Sequence, residues 1–250
     1  MKALITGASS GIGKDFALIL SKSYDELILV GRDQNNLDKV KEEIESNSSS
    51  KVKTISMDLS DYNNCIKLYN ENKNIDLLIN DAGFGDCGCF EKTDLEKDIK
   101  MINTNITALH TLTKLYLGEM IENNNGHILN VASIAAFVPG PLMATYYSTK
   151  SYVLKLSESI KEELKHKKTN VKISVLCPGP VKTNFEKNAN VEFEVSKKDS
   201  YKVADYTIKH LNRFYICPGI SVKLTRFISK IVPSSIIAKF IYKVQRRRVR

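Results

Sequence analysis

Along the chain, short apolar runs alternate with segments whose apolar residues recur at helical spacing. Ala3–Thr6, Leu27–Val30, Val52–Met57, Ile75–Ile79, His127–Val131 and Val171–Leu176 read as strands. Between them, Gly11–Ser21, Gln34–Ile44, Asp61–Glu71 and Thr145–Lys167 read as helices. A longer helix is predicted from about Asp94 to Ile121, closed by Asn123-Asn124-Asn125-Gly126, because Asn and Gly tolerate the left-handed backbone that ends helices. Such alternation implies βαβ units and an α/β fold, with a doubly wound parallel sheet covered on both faces. No internal repeat or linker interrupts it, and the one shift in composition falls near Ile220.

That shift explains the charge. The net charge is +9, which for an evenly basic protein would suggest an anionic partner. Residues 221–250, however, hold Lys223, Arg226, Lys230, Lys239, Lys243, Arg246, Arg247, Arg248 and Arg250, and no Asp or Glu. The other 28 Lys and Arg match the 28 Asp and Glu, so residues 1–220 are neutral. With 42% hydrophobic and 26% charged residues, the 250-residue chain has ordinary globular composition and suffices for one domain. Five cysteines without close pairing suit a reducing, cytoplasmic setting, and Cys87-Gly88-Cys89 lacks partners at zinc-site spacing, so no metal is expected. A strand beginning at Ala3 leaves no room for a signal peptide, and no apolar run is long enough to span a bilayer.

Thr6-Gly7-Ala8-Ser9-Ser10-Gly11-Ile12-Gly13 lies between the first strand and the first helix. Glycines there let the backbone turn tightly and approach a pyrophosphate seated on helix N-terminal amides; the bland alternative is a turn with no ligand. The spacing Gly-x-x-x-Gly-x-Gly differs from the common dinucleotide fingerprint. Further motifs follow in order: Asn80-Asp81-Ala82-Gly83, Asn105, Ser133 with Tyr146-x-x-x-Lys150, and Pro178-Gly179-Pro180-Val181 with Thr183. Over about residues 1–185 the chain resembles the short-chain dehydrogenase/reductase family. Asp81 departs from the usual second Asn, a change expected to alter local contacts and leave the cofactor site intact.

The resemblance implies a seven-stranded Rossmann fold of order 3-2-1-4-5-6-7 in residues 1–220. It implies cofactor contacts from Thr6, Gly7, Ser9, Ser10, Gly11, Ile12 and Gly13. Further contacts are implied from Asp58 and Leu59 near the adenine, Asn80, Ala82 and Gly83 near its ribose, and Pro178, Gly179, Val181 and Thr183 near the nicotinamide. At the end of the second strand, Gly31 stands at the usual acid position and Arg32 follows it. A guanidinium suits a 2′-phosphate, so NADP(H) is the expected cofactor; the alternative for Arg32 is a surface ion pair.

Tyr146 and Lys150 are four residues apart and share a helix face. Such a pair often merely packs. Ser133, at the end of a strand, tips the balance. Tyr147 has Ser151 four residues on, so only Tyr146 fits. A nearby ammonium favours a phenolate and would lower the tyrosine pKa, while Ser133 could donate to a developing oxyanion. By resemblance, Lys150 also binds the nicotinamide ribose, and Asn105 holds a water that links Lys150 to solvent. Asn103 is the alternative to Asn105.

Substrate contacts are expected from Phe84–Phe90, Ala135–Ala144 and a polar, mobile Asn184–Lys198 lid. The uncharged middle loop suggests an apolar ketone, aldehyde, 3-ketoacyl or steroid substrate, unless it only packs on the helices. The family also implies a homodimer or homotetramer through Asp94–Ile121 and Thr145–Lys167. In the tail, Leu224, Phe227, Ile228 and Ile231, then Ile236, Ile237, Phe240, Ile241 and Val244, form helical stripes. The tail resembles the C-terminal extension of a bacterial branch of short-chain reductases. It is expected to pack on its own body or a subunit, with peripheral contact to an anionic membrane as the alternative and no nucleic acid. The rival of another class is a non-catalytic NADP sensor or membrane-recruited scaffold. The complete set of Asn105, Ser133, Tyr146 and Lys150 speaks against it.

Overall fold

The computed structural model describes residues 1–189, 191 and 197–246. Its elements run β1 (Lys2–Thr6), α1 (Gly11–Leu20), β2 (Glu26–Gly31), α2 (Gln34–Glu45), β3 (Lys51–Ser56), α3 (Tyr62–Glu71), β4 (Leu77–Asn80), α4 (Leu95–Ile102), α5 (Leu109–Glu122), β5 (His127–Val131) and α6 (Ala144–Lys167). Then come β6 (Lys172–Leu176), β7 (Val181–Lys182), α7 (Phe185–Ala189), β8 (Lys198–Asp199), α8 (Ser200–Lys209), β9 (Tyr215–Ile216), α9 (Ile220–Ile228) and α10 (Ser234–Gln245).

The main sheet is parallel, seven strands in the order β3-β2-β1-β4-β5-β6-β9. This is the expected doubly wound order, with the short β9 as its last strand. The central strands are apolar almost throughout because helices cover both faces. On one face Phe16, Leu37 and Val203 close the core; on the other Leu68, Tyr116 and Ile160 do so. Acidic N-caps set several helix starts: Asp33 accepts from Asn36 N–H and Asp61 from Asn63 N–H.

The helix predicted from Asp94 to Ile121 is not one regular rod. Asn103–Ala108 form a π-helical segment between α4 and α5. Its cause is a side chain. Asn105 turns inward and donates to the Phe84 carbonyl (2.9 Å) and Thr149 Oγ1 (3.1 Å), while Phe84 N–H donates to Asn105 Oδ1 (3.1 Å). The expected Asn184–Lys198 loop contains the short helix α7 and ends in β8, which pairs with β7; residues 190 and 192–196 lie outside the described residues.

At the carboxyl edge of the sheet, Thr6, Asn80 and Asn130 are aligned across β1, β4 and β5. Asn80 Nδ2 donates to Asn130 Oδ1 (2.9 Å) and Thr113 Oγ1 (3.1 Å), and Asn130 Nδ2 donates to Ser157 Oγ (3.1 Å). Asn130 therefore joins β4, α5 and α6 where the sheet is driest. Asn130→Ala removes the acceptor of two buried donors, Asn80 Nδ2 and Thr113 Oγ1, and should cost about 1–3 kcal/mol. Urea unfolding would show this as a lower midpoint with an unchanged slope.

Candidate active site

Strands β1, β4, β5 and β6 end at a cavity of about 640 Å³. That is the size and place expected of a ligand site at the carboxyl end of a doubly wound sheet. The turn after β1 forms its floor. Gly7 has a positive φ of +74°, and a Cβ there would meet Ala82 N at 2.9 Å. At Gly13 a Cβ would fall 2.5 Å from the Gly7 carbonyl oxygen, so this position holds the turn against α1. Ser10 precedes α1 and its side chain caps none of the first amides of the helix, the kind of group that meets an anion; of these, Gly13 N–H donates to Asp81.

Most residues anticipated for the cofactor converge on this cavity. Gly7, Ser9, Ser10, Gly11 and Ile12 line it from the turn, Arg32, Asp58 and Leu59 from the ends of β2 and β3, and Ala82 and Gly83 from the end of β4. Pro178, Gly179, Val181 and Thr183 line it after β6. Arg32 is exposed at the wall and forms no ion pair among the described residues, while Asp33 is occupied as the N-cap of α2. The ion-pair alternative for Arg32 is therefore not seen. Burial works against the Asp58 carboxylate, but Ser60 and Lys100 outweigh it and hold its pKa below the ordinary carboxylate value.

Three anticipated contacts sit behind the wall. Thr6 Oγ1 accepts from the N–H groups of Asp81 and Ala82, both at 3.1 Å, and so shapes the turn after β4. Asn80 is tied to Asn130 and Thr113, and Gly13 supports the turn. These residues position the wall and do not line it.

The catalytic candidates come from β5, α6 and the π segment. Ser133 follows β5, and its Oγ accepts from Ala135 N–H at 3.1 Å. Its hydroxyl also bonds to the Tyr146 phenol. Lys150, one helical turn beyond Tyr146, is only 5% exposed. Its Nζ donates to the Val131 carbonyl at 2.9 Å and stands 5.9 Å from the centre of the Tyr146 ring. Asn105 is buried beneath them with both amide protons bonded to protein groups, so any water it holds would have to use its other atoms.

One electrostatic expectation is reversed. The lysine was expected to lower the tyrosine pKa, yet burial pushes the Tyr146 phenol above its ordinary value, with the Ser133 hydrogen bond opposing this. The same burial pushes the Lys150 ammonium down, against the attraction of Asp81. In this enclosure desolvation is the largest influence on both groups. Tyr146 is thus held as a neutral phenol, the form that donates a proton.

Asp81 also departs from expectation. It lines the cavity, accepts from Gly13 N–H, and pulls on Lys150 while burial pushes its own carboxyl up. The site is therefore not indifferent to the replacement of Asn by Asp. Sequence reasoning likewise passed over Tyr147, Thr225, Phe240 and Ile241, which also line the wall, whereas Phe185 belongs to the Asn184–Lys198 segment expected there. Tyr147 was set aside for lacking a lysine partner, and nothing in the helical stripe of α10 marks which face would reach the cavity.

On the substrate side, Met143, Ala189 and Val191 form an apolar cluster with Tyr146, Tyr147 and Phe185 packed against it. The middle loop is divided between cavity and core. Val138 and Met143 line the cavity, while Ala136 is buried in the core.

Fold and site together define a nucleotide-binding α/β protein with a tyrosine–lysine–serine group beside the nucleotide cleft. A family model for short chain dehydrogenases matches residues 1–193, and the chain belongs to that family. It is 39% identical over 171 residues to a very-long-chain 3-oxoacyl-CoA reductase of Phaeosphaeria nodorum, covering 65% of this chain and 50% of that protein. The chain thus spans about half the length of the reductases it matches in this group. An uncharacterised oxidoreductase of Staphylococcus saprophyticus is 32% identical over 86% of this chain and 95% of its own. Among solved structures, a short-chain dehydrogenase from Sphingobium yanoikuyae in complex with NADPH superposes with a TM-score of 0.82 at 25% identity, covering 94% of this chain and 97% of that one. A Burkholderia phymatum short-chain dehydrogenase/reductase in complex with NAD has the same TM-score at 23% identity, covering 91% and 92%.

The Asp81 carboxylate favours the charged form of Lys150, so its removal must lower the lysine pKa further. In Asp81→Asn, NMR of ε-carbon-labelled lysine should show Lys150 losing its proton at lower pH than in the wild type. An unchanged midpoint would mean the two groups do not communicate.

Proposed function

We propose that the protein is an NADP(H)-dependent oxidoreductase that reduces an apolar ketone or aldehyde, or oxidises the matching alcohol. One observation carries this reading: Tyr146, Ser133 and Lys150 meet an apolar wall in the same cavity that continues to the glycine turn and Arg32. The turn supports this reading: glycine at position 7 lets its backbone run against that of Ala82, and the Ser10 side chain caps none of the α1 amides.

In this reading Ser9, Ser10, Gly11 and Ile12 hold the pyrophosphate, Asp58 and Leu59 face the adenine, and Arg32 takes the 2′-phosphate. Thr183 holds the carboxamide. A bound nicotinamide supplies the hydride. Ser133 donates to the substrate oxygen as negative charge develops there. Tyr146, kept neutral by its burial, gives that oxygen its proton. Lys150 returns a proton towards the phenolate and meets the nicotinamide ribose, and Asn105 braces the pair from behind through Phe84 and Thr149. Assembly as a dimer or tetramer through α5 and α6 belongs to the same proposal.

The substrate reading rests on Val138, Met143 and Phe185, which offer the carbonyl compound an uncharged surface. A 3-oxoacyl thioester is the second reading, favoured by the 39% identity to a very-long-chain 3-oxoacyl-CoA reductase.

The test follows NADPH oxidation at 340 nm with aldehydes, bulky ketones, 3-oxoacyl thioesters and ketosteroids. Turnover of at least one apolar carbonyl is expected, with kcat/KM for NADPH exceeding that for NADH by about tenfold or more, as one good charge-assisted contact supplies. Arg32→Ala should narrow the ratio. Preference for NADH would overturn the cofactor assignment, and inactivity across the panel would overturn the reductase reading.

A further inference from the structure

The last two described helices have two different sides. Inward, Val222 of α9 is buried beside Leu109 and Val153. Thr225 of α9 and Ile241 of α10 line the cavity, and Gln245, only 2% exposed, donates from Nε2 to Tyr147 Oη at 2.8 Å. Helix α10 is thereby tied to the residue next to Tyr146. Outward, Leu224, Phe227, Ile231 and Ile236 are exposed, Phe227 by 62% and Ile231 by 65%. Phe240, 68% exposed, stands at the cavity rim and belongs to both sides.

Leu224 and Phe227 are one turn apart on α9, and Ile236 and Phe240 one turn apart on α10, and large apolar side chains repeated in water mark a surface that meets something else. Their neighbours say what. Lys223, Lys230, Lys239 and Lys243 are exposed around them and form no ion pair among the described residues. No acidic residue follows Asp205, and Arg247, Arg248 and Arg250 extend the positive run in sequence. A second copy of this face would bring like charges together with no acid to offset them. A nucleic acid would answer the lysines but not the aliphatic Leu224, Ile231 and Ile236. An anionic bilayer answers both at once, taking the apolar side chains below the headgroups and the lysines among the phosphates. Helices of nine and twelve residues lie along such a surface, and among the described residues no helix is long and apolar enough to cross one.

We infer that α9 and α10 form a docking face for an anionic lipid bilayer, set at the mouth of the cavity. Phe240 and Ile241 would then separate the acyl region from the site, and an apolar substrate could enter from the bilayer without crossing water. That route rests on the proposed reduction; the docking does not.

The test is co-sedimentation of the full chain with phosphatidylglycerol-containing vesicles and with phosphatidylcholine vesicles, in the absence of cofactor and substrate. The wild type should pellet with the anionic vesicles, more weakly at high salt, and not with the neutral ones. Two triple variants leave the cavity wall untouched: Leu224→Ser/Phe227→Ser/Ile231→Ser and Lys223→Glu/Lys230→Glu/Lys239→Glu. Each should weaken binding by about tenfold or more, since each lysine near the surface is worth about a fivefold change in affinity. Thermal melting and light scattering accompany the assay. All substituted residues are exposed, so the melting temperature should hold. No binding of the wild type, or equal binding by the apolar variant, would overturn the inference. So would a wild-type oligomer that the apolar variant dissolves, because a second copy would then own the face. A chain that docks yet reduces no carbonyl would overturn the functional proposal alone.

Discussion

The site depends on keeping a lysine almost dry. An ammonium removed from water is costly unless hydrogen bonds and opposite charge replace its hydration. Lys150 receives the Val131 carbonyl on one side and the attraction of Asp81 on the other. Neither comes from Lys150's own helix. One is the last residue of β5 and the other follows β4. The pair is therefore assembled only when the parallel sheet is in register, and the chemistry of the cavity is a consequence of the order of the strands. The same enclosure that depresses the lysine keeps the phenol of Tyr146 protonated, which is what a proton donor to a carbonyl oxygen requires.

Much of this was legible in the chain. The strands are apolar runs bounded by turn residues, and the edges found by pattern fall within a residue or two of the structure. The glycine turn and the Tyr146–Lys150 spacing encode contacts that are local in sequence. What was not legible depends on distance along the chain. The π segment arises because Asn105 bonds to Phe84, twenty-one residues away. Asn80 carried the motif of a ligand contact, yet its side chain serves Asn130 and Thr113 on other elements. The sign of the Tyr146 shift follows from burial, which no spacing reports.

The basic tail changes meaning in the same way. Its charge is readable at once, and its helical stripes are too. Which stripe faces the body is decided by Val222 and Gln245, single residues whose partners lie far away. Once they are placed, the tail is no appendage. It supplies part of the wall beside Tyr147, so the positive end of an otherwise neutral chain is joined to the candidate site.

The central claim is that the buried phenol of Tyr146 donates the proton during carbonyl reduction. The most direct measurement is single-turnover oxidation of pre-bound NADPH by an excess of carbonyl substrate, in the wild type and in Tyr146→Phe, with NADPH affinity measured separately by fluorescence. The predicted result is a loss of about 10²–10⁴-fold in the oxidation step at unchanged NADPH affinity. A Tyr146→Phe rate close to that of the wild type would contradict the account.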